Sequence, residues 1–229
     1  MRRLSLLTAF LVFGTLPALA QAPKAAPAAK QGGEEEEVER KIVGGGKIPT
    51  GWAVKTDRNA PIAKVKFEQN TSGWHVETAA SVVLYKPTDQ LSRNYHLAAI
   101  FTQQEATPGH AEPYGLIFGG AARGDSLDYT YFMVQADGKF SIRRRTGSKS
   151  QDLVGGGWVE NKAVKQADAK GSCTNRLMVE RTPAGVRFMI NGTEVFKTTP
   201  DSAHADGFTG FRVSHNLVVD VSGTMRMQM

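Results

Sequence analysis

The sequence has a single cysteine, Cys173, among its 229 residues, so it cannot form an intrachain disulfide. It also lacks any H-x-x-x-H or H-x-H pair, so nothing in it indicates a structural zinc site. The histidines stand singly, at His75, His96, His110, His204 and His215. Without disulfides or zinc the fold must be stabilised by a hydrophobic core, which a domain of about 180 residues can supply.

Common catalytic signatures are missing as well. There is no G-x-S-x-G motif, and the glycine runs at 44–46 and 155–157 have no following Lys-Ser/Thr, so they are predicted turns rather than phosphate-binding loops. Cys173 lies in a predicted loop without a neighbouring histidine in the sequence. Lys170 and Arg176 are close to it in the sequence, but we interpret it as an incidental thiol rather than a nucleophile.

The first twenty residues have the pattern of a secretory signal peptide. Arg2 and Arg3 precede an apolar stretch at 4–16, and the sequence A-L-A ends at Ala20. The alternative, a retained N-terminal anchor, fits less well because the stretch is short for a membrane span. We therefore predict cleavage after Ala20, export to the periplasm or the extracellular space, and no membrane insertion after cleavage.

Residues 21–41 are rich in Ala, Pro and Glu and poor in large apolar side chains, so they are predicted to form a disordered linker before a domain at 42–224. The chain has 28 basic and 22 acidic residues, and loss of the predicted signal peptide lowers its net charge from +6 to +4. A small excess without a clustered patch does not indicate a nucleic-acid partner.

Alternating apolar residues predict an all-β domain. Val186, Phe188 and Ile190 fall on one face of a strand that ends at Asn191-Gly192, and Asp137-Gly138 predicts another hairpin. No segment of ten or more residues has a convincing helical period, and ten to twelve strands in two stacked antiparallel sheets are expected. The main predicted strands are 61–68, 74–78, 80–85, 95–102, 114–118, 129–135, 139–145, 177–181, 186–190, 208–213 and 217–221.

Several segments together resemble one superfamily. They are YGLIFGG at 114–120, YTYF at 129–132, NRL at 175–177, VRFMING at 186–192 and GFTGFRV at 207–213. Over most of residues 48–222 the chain resembles the concanavalin A-like lectin/glucanase (laminin G-type) jelly rolls, including bacterial exported domains related to 3-keto-disaccharide hydrolase domains. The resemblance implies a two-sheet antiparallel jelly-roll sandwich. It does not imply one activity, because the superfamily includes lectins, hydrolases, lyases and adhesion modules.

Glycoside hydrolysis needs two carboxylates on either side of the scissile bond. The laminarinase-like members of the superfamily carry them as E-x-D-x-E on one strand, and this sequence has no such motif. Glu77, Glu180 and Asp220 lie on or near predicted strands, but none has a carboxylate two residues away. Other hydrolase or lyase chemistry stays open. No cofactor is predicted; calcium is the one metal that the resemblance allows, with Asp57 and Asp220 as weak candidate ligands.

The run Arg143-Arg144-Arg145 is the strongest charge feature. Alternation with the apolar residues before it places Arg143 and Arg145 on the outer face, near Tyr131 and Trp158 in the sequence. Aromatic rings beside arginines suit sugar rings or acidic glycans, so these four residues form the candidate ligand-binding set. The pair His215 and Asn216 is a second candidate, for which a simple turn role of Asn216 is the alternative.

We therefore expect an exported, non-catalytic glycan-binding or cell-envelope interaction module. Its partner would be an oligo- or polysaccharide, or a protein of the cell envelope. One alternative is a carbohydrate-active hydrolase or lyase, which would show a catalytic constellation in a groove. Another is a structural or adhesive protein-interaction domain, which would present a broad apolar patch.

Overall fold

A computed structural model describes residues 39–105 and 110–229. The predicted signal peptide and almost all of the predicted linker lie outside these residues, so both stay predictions. Within the described ranges, no helix is long and apolar enough to cross a membrane.

The regular secondary structure of the described chain is almost entirely β. Its fifteen strands are β1 (Ala53–Thr56), β2 (Val65–Asn70), β3 (Gly73–Thr78), β4 (Val82–Leu91), β5 (Tyr95–Glu105), β6 (Tyr114–Arg123), β7 (Ser126–Val134), β8 (Lys139–Thr146), β9 (Lys149–Asp152), β10 (Val159–Glu160), β11 (Cys173–Thr182), β12 (Gly185–Ile190), β13 (Thr193–Thr198), β14 (Gly207–Val213) and β15 (Leu217–Gln228). One short helix, α1, spans Pro200–Ala203, and two 3-10 turns span Asp57–Asn59 and Ile62–Lys64.

The strands form two antiparallel sheets. The eight-stranded sheet has the order β1-β4-β14-β6-β7-β8-β10, with β9 also paired to β8, and the seven-stranded sheet has the order β13-β12-β11-β5-β15-β3-β2. This confirms the predicted all-β, two-sheet jelly-roll sandwich. β15 continues to Gln228 and pairs with β5 there, so the described body extends beyond residue 224.

The predicted strands agree with the structure in the core and differ at its margins. The first half of the predicted strand 61–68 is a 3-10 turn, because Pro61 starts a turn that closes with Lys64 N–H donating to the Pro61 carbonyl at 3.0 Å. Four short strands, β1, β9, β10 and β13, were not predicted. They lie at or beside sheet edges, where sequence alternation is weak.

The core lies between the inner faces of the two sheets. One part of the core is a cluster of four aromatic rings, in which the centroids of neighbouring rings are 4.9–5.5 Å apart. The rings are those of Trp52, Phe67, Trp74 and Phe211. Each large apolar side chain removed from water in this way stabilises the fold by about 1.5–3 kcal/mol. Extensive burial of this kind lets the domain fold without a disulfide.

The outer face of the eight-stranded sheet carries its own side chains of interest. Tyr85, Gly210, Ile117, Tyr131 and Arg143 stand directly opposite one another along successive strands. Directly opposed residues share a face, so these five form a row across the sheet. A second apolar cluster lies on this same face and consists of Val83, Ile117, Leu127, Tyr129 and Phe208.

Candidate functional site

The structure brings together the four candidate residues on the strands and loop around β8. Tyr131 is directly opposite Arg143 in the register of β7 and β8. The Arg143 guanidinium lies over the Trp158 ring, 6.0 Å from its centroid, and its Nε donates a hydrogen bond to Ser141 Oγ at 3.1 Å. Arg143 therefore points to the outer face, as strand alternation predicts.

Trp158 is positioned by the loop that joins β9 to β10. The Asp152 carboxylate accepts hydrogen bonds from Val154 N at 3.1 Å and from Gly157 N at 2.6 Å. Gly157 has a φ of +76°, and a Cβ there would lie 3.2 Å from Arg143 Nη2. The loop thus depends on a glycine and a carboxylate to present Trp158, which is half-buried, beside Arg143.

Arg145 points toward a neighbouring part of the same face. Its Nε donates to the Gly147 carbonyl at 2.8 Å, and the N–H of Gly147 donates to Asp128 Oδ1 at 2.9 Å. Its Nη1 lies 3.9 Å from Asp57 Oδ1. On the adjacent strand, the Tyr131 hydroxyl and Ser150 Oγ form a hydrogen bond of 2.8 Å.

Arg212 is the residue at the centre of this face that the sequence analysis did not select. Its side chain is only 12% exposed. It donates to both carboxylate oxygens of Asp57 and, at 3.0 Å, to the Tyr129 hydroxyl, and its guanidinium lies 5.8 Å from the Tyr131 ring centroid. Burial opposes its charge, but the neighbouring Tyr129 and the hydrogen bond and charge of Asp57 outweigh burial, so the pKa of Arg212 lies above its ordinary value.

The sequence did contain a signal for Arg212. It stands between Phe211 and Val213, which belong to the core, so strand alternation places it on the outer face. Its partner could not be read from the sequence, because Asp57 is 155 positions away.

Three tyrosines lie on this face, of which Tyr129 is buried and Tyr85 and Tyr131 are half-buried. The rings of Tyr129 and Tyr131 have centroids 5.8 Å apart, and Tyr85 stacks on Phe208 at 4.5 Å. Burial raises the pKa of Tyr85, and burial also raises that of Tyr129 although Arg212 opposes the rise. Both phenols therefore stay neutral hydrogen-bonding groups at ordinary pH.

A cavity of about 300 Å³ opens beside Arg145 and Tyr129. β1 and β8 are five strand intervals apart in the sheet, about 24 Å if the sheet were flat. Nevertheless the segment after β1 brings Asp57 to within 3.9 Å of Arg145. Because this segment approaches β8, part of the outer face forms a hollow, which we call the β8 hollow. The residues that line its cavity are Lys55, Thr56, Asp57, Arg58, Asn59, Val83, Asp125, Ser126, Leu127, Tyr129, Arg145, Gly147 and Ser148.

His215 and Asn216 lie elsewhere, in the turn between β14 and β15. His215 Nδ1 is 3.2 Å from Glu112 Oε2, and Asn216 accepts a hydrogen bond from Arg40 N at 2.9 Å. Asn216 has a φ of +55°, a conformation that asparagine tolerates well in turns. The geometry favours the turn role of Asn216 and does not join this pair to the β8 hollow.

The two weak calcium candidates both have side-chain partners. Asp57 is held by Arg212 and Arg145, and Asp220 accepts from Gln104 Nε2 at 2.6 Å and lies 2.7 Å from His75 Nδ1. In the ranges 39–105 and 110–229, no three His, Cys, Asp or Glu residues stand close enough together to hold a metal ion. The contacts of the two carboxylates are those of ion pairs.

Glu77, Glu180 and Asp220 have no carboxylate two residues away in the sequence, but each contacts a basic side chain on a neighbouring strand. His75 lies between two of them, with its Nε2 3.0 Å from Glu77 Oε1 and its Nδ1 on Asp220. Lys66 donates to the same Glu77 oxygen at 2.8 Å, and Arg187 donates to Glu180 at 3.1 Å. Burial alone would lower the pKa of His75. The hydrogen bonds to Asp220 and Glu77 raise it by a larger amount, so the pKa of His75 lies above its ordinary value.

Comparisons with known proteins agree with this fold. No family model matches the chain, and no curated protein matches its sequence. The carbohydrate-binding module CBM66 from Bacillus subtilis is similar in structure, with a TM-score of 0.58 and 11% identity over 78% of this chain and 96% of that one. A Bacillus subtilis protein of unknown function with a galectin-like fold has a TM-score of 0.55 and 13% identity over 77% of this chain and 89% of the other.

A Bacillus licheniformis beta-glucanase is also similar, with a TM-score of 0.50 and 8% identity over 80% of this chain and 94% of that one. At such low identities a structural likeness shows the fold and not the activity. The chain thus has the concanavalin-like jelly-roll fold that its sequence resembles, and it shares that fold with both a carbohydrate-binding module and a glucanase.

Proposed function

We propose that this protein is an exported, non-catalytic module that binds saccharides at the β8 hollow and the adjoining Arg143–Trp158 pair. The observation that supports the proposal most is the placement of Tyr131 and Trp158 beside Arg143 and Arg145 on one outer face. This face lies next to a cavity of about 300 Å³.

The chemistry of this face suits a sugar. An aromatic ring that keeps part of its surface in solvent can stack on the C–H face of a pyranose or furanose. Trp158 and Tyr131 are both half-buried, so each retains exposed surface. The guanidinium groups of Arg143 and Arg145 are planar donors that can bind adjacent hydroxyls or a carboxylate.

The charge of the cavity lining favours acidic sugars over neutral ones. Lys55, Arg58 and Arg145 are lining cations, whereas the lining carboxylates are Asp57 and Asp125. Asp57 is already paired with Arg212, so its charge is largely compensated within the protein. We therefore include uronate-containing and sulfated glycans among the expected ligands.

Binding without turnover is the simpler reading of the same residues. Hydrolysis of a glycosidic bond needs two carboxylates that can exchange protons with the substrate or attack it. Asp57 accepts hydrogen bonds from Arg212 through both of its oxygens, which occupies it. Asp125 is exposed near the turn between β6 and β7. This arrangement supports a binding role for the hollow.

The structural likeness to a carbohydrate-binding module from Bacillus subtilis supports the proposal at the level of fold. The predicted signal peptide at residues 1–20 supports export, which would place the domain with cell-envelope or extracellular polysaccharides. Partner proteins of the cell envelope are the alternative occupant of the same face.

The test is a combined binding and turnover assay on the purified mature chain. A panel of neutral, uronate-containing and sulfated oligo- and polysaccharides is scored for retention and for released products in the same samples. We expect retention on at least one glycan, weakened by Trp158→Ala and Arg143→Ala and unchanged by Arg176→Gln, whose side chain lies on the other sheet. Product release that Asp57→Asn abolishes would make this a hydrolase or lyase. Neither retention nor release would overturn the proposal in favour of a protein partner.

A further inference from the structure

We propose a second, separate ligand site at one end of the sandwich, where β6, β8 and α1 meet, that binds an oxyanion group such as sulfate, phosphate or carboxylate. A cavity of about 400 Å³ opens there. It is lined by Gly119, Ala121, Arg123, Arg144, Arg181, Pro200, Asp201, His204, Ala205 and Asp206. We call it the Arg144 cavity, and it shares no lining residue with the cavity of the β8 hollow.

Arg144 is the residue on which the site rests. On β8 it follows Phe140 and Ile142, whose side chains are in the core, so its own side chain starts on the inner face at the strand end. Its Nη1 donates to the Gly119 carbonyl at 3.0 Å. Its Nε is buried and has no hydrogen-bond partner among residues 39–105 and 110–229.

A partly buried guanidinium with an unused donor and no direct carboxylate partner is costly to the folded protein. Burial lowers the pKa of Arg144, an effect that nearby Asp128 opposes and Arg123 reinforces. The Asp128 carboxylate instead accepts from Gly147 N and lies 3.5 Å from Arg123 Nε. An anion in the cavity would supply the missing counter-charge.

The other charged residues that line the cavity do not neutralise Arg144. Arg181 is only 15% exposed and has its Nε 2.9 Å from Asp206 Oδ1, and it also donates to the Arg93 carbonyl. Arg123 is 71% exposed at the rim. With Asp206 engaged by Arg181, the remaining lining carboxylate is that of Asp201, which is exposed on α1. Arg181 and Arg123 thus each have a carboxylate partner, Asp206 and Asp128, whereas Arg144 has no direct carboxylate partner among the described residues.

The walls of the cavity are held firmly. Gly119 has a φ of +58°, and a Cβ at this position would lie 1.8 Å from the His204 carbonyl oxygen, so the two backbones touch with no side chain between them. Thr130, opposite Arg144 in the register, donates to the Ala203 carbonyl at 2.6 Å. A guanidinium in a wall of this kind is held in place to offer charge-assisted hydrogen bonds from its terminal N–H groups to an oxyanion.

The β8 hollow and the Arg144 cavity are distinct although Arg144 and Arg145 are neighbours in sequence. Adjacent residues of a strand point to opposite faces, so Arg145 reaches the outer face and Arg144 the inner one. Two sites on one strand would let the protein hold an acidic chain at one place and a single anionic group at another.

The experiment is a titration of the purified mature chain with sodium sulfate, sodium phosphate and sodium glucuronate in parallel, at constant ionic strength set by chloride. The arginine Nε–Hε signals in nitrogen-15 NMR spectra report the binding, and Arg144→Gln assigns the Arg144 signal by its loss. We expect a saturable shift of that signal, and at least a tenfold weaker affinity for the preferred anion in Arg144→Gln. Arg176→Gln, a matched arginine change on the other sheet, should bind as the wild type does.

A melting curve gives an independent readout. The preferred anion should raise the melting temperature of the wild type and of Arg176→Gln but not of Arg144→Gln, because only a folded state with the site gains from the ligand. Arg181→Gln should also lower the affinity, and it serves if Arg144→Gln folds poorly. Linear, unsaturable shifts of all arginine signals, or equal affinity in wild type and both cavity variants, would overturn the proposal. The three anion arms distinguish a sulfate, phosphate or carboxylate preference.

Discussion

Arg212 and Asp57 form an ion pair that connects the central strand β14 to the segment after the edge strand β1, with Arg212 Nη1 3.3 Å from Asp57 Oδ1. The two residues are 155 positions apart in the chain. The pair also involves the Tyr129 hydroxyl and stands against the Tyr131 ring, so it joins the floor of the β8 hollow to its rim.

A double-mutant cycle tests whether this pair is energetically coupled. Arg212→Met and Asp57→Asn should each lower the free energy of unfolding, because each leaves a partly buried polar partner without its counter-charge. Asp57 is 32% exposed, so we expect a coupling of about 1–2 kcal/mol rather than the larger values of fully buried pairs. Urea unfolding of the four proteins measures it. A coupling below about 0.5 kcal/mol would show that the two side chains act independently.

The loop before Trp158 should matter to binding more than to stability. Asp152→Ala removes the acceptor of Val154 N and Gly157 N and frees the loop that places Trp158. We expect an affinity loss of about tenfold, equal to about 1.4 kcal/mol, for the retained saccharide. The melting temperature should change little because none of residues 152–158 is fully buried. Lys149→Ala on the same short strand is the control, and an equal loss in both variants would contradict this role of Asp152.

Cys173 should be chemically inert in the folded protein. It is 7% exposed and lies 3.3 Å from the Tyr114 hydroxyl. Burial raises the pKa of its thiol, so the reactive thiolate is scarce as well as inaccessible. At about pH 8 its reaction with a disulfide reagent should be at least about 100-fold slower than in urea-unfolded protein. Rapid labelling of the native chain would contradict the buried position.

Stability should fall on the alkaline side because of His75. The folded pKa of His75 is raised above 6.5, so the folded state holds this proton more tightly than the unfolded state. Its contribution to stability is therefore complete below about pH 6.5 and is lost as the pH rises through the raised pKa. Asp220, Glu77 and Lys66 are the charged groups that surround it.

On the acid side, Glu77 should make the stability of the protein fall as the pH decreases. Burial alone would raise the pKa of Glu77. The hydrogen bonds from Lys66 and His75 lower it by a larger amount, so the pKa of Glu77 lies below 4.5. Its contribution is present above about pH 4.5 and is lost as the pH falls through the lowered pKa. Urea unfolding from about pH 4 to 9 measures both slopes, and His75→Gln should flatten the alkaline one. The same alkaline slope in wild type and His75→Gln would exclude His75 as its cause.

Much of the fold could be predicted because strand alternation is a local property. The alternation of Val186, Phe188 and Ile190 identified β12, and Asp137-Gly138 correctly marked the β7–β8 hairpin, where Gly138 has a φ of +95°. The short strands at the margins could not be predicted, because their pairing depends on the sheet beside them. Met189, which lies between Phe188 and Ile190, is buried as well, and the pairing of β12 with β13 has a register shift between Phe188 and Met189 that the sequence does not indicate.

The site was predictable in part for the same reason. Alternation predicts Arg143 and Arg145 on the outer face, and in the structure Trp158 lies close to Arg143. The partners of Arg212 and the course of the segment that brings Asp57 over the hollow depend on sheet order and curvature. Neither has a signature in the sequence. The expected ligand role of His215 and Asn216 stays a prediction, now in a separate turn.

The most direct test of saccharide binding at the β8 hollow is a crystal structure of the mature chain with the saccharide that it retains most strongly. We expect density for a sugar ring against Trp158 or Tyr131, with Arg143 or Arg145 donating to its hydroxyl or carboxylate oxygens. Density on the outer face of the seven-stranded sheet, or at its edges, with the β8 hollow empty, would contradict it.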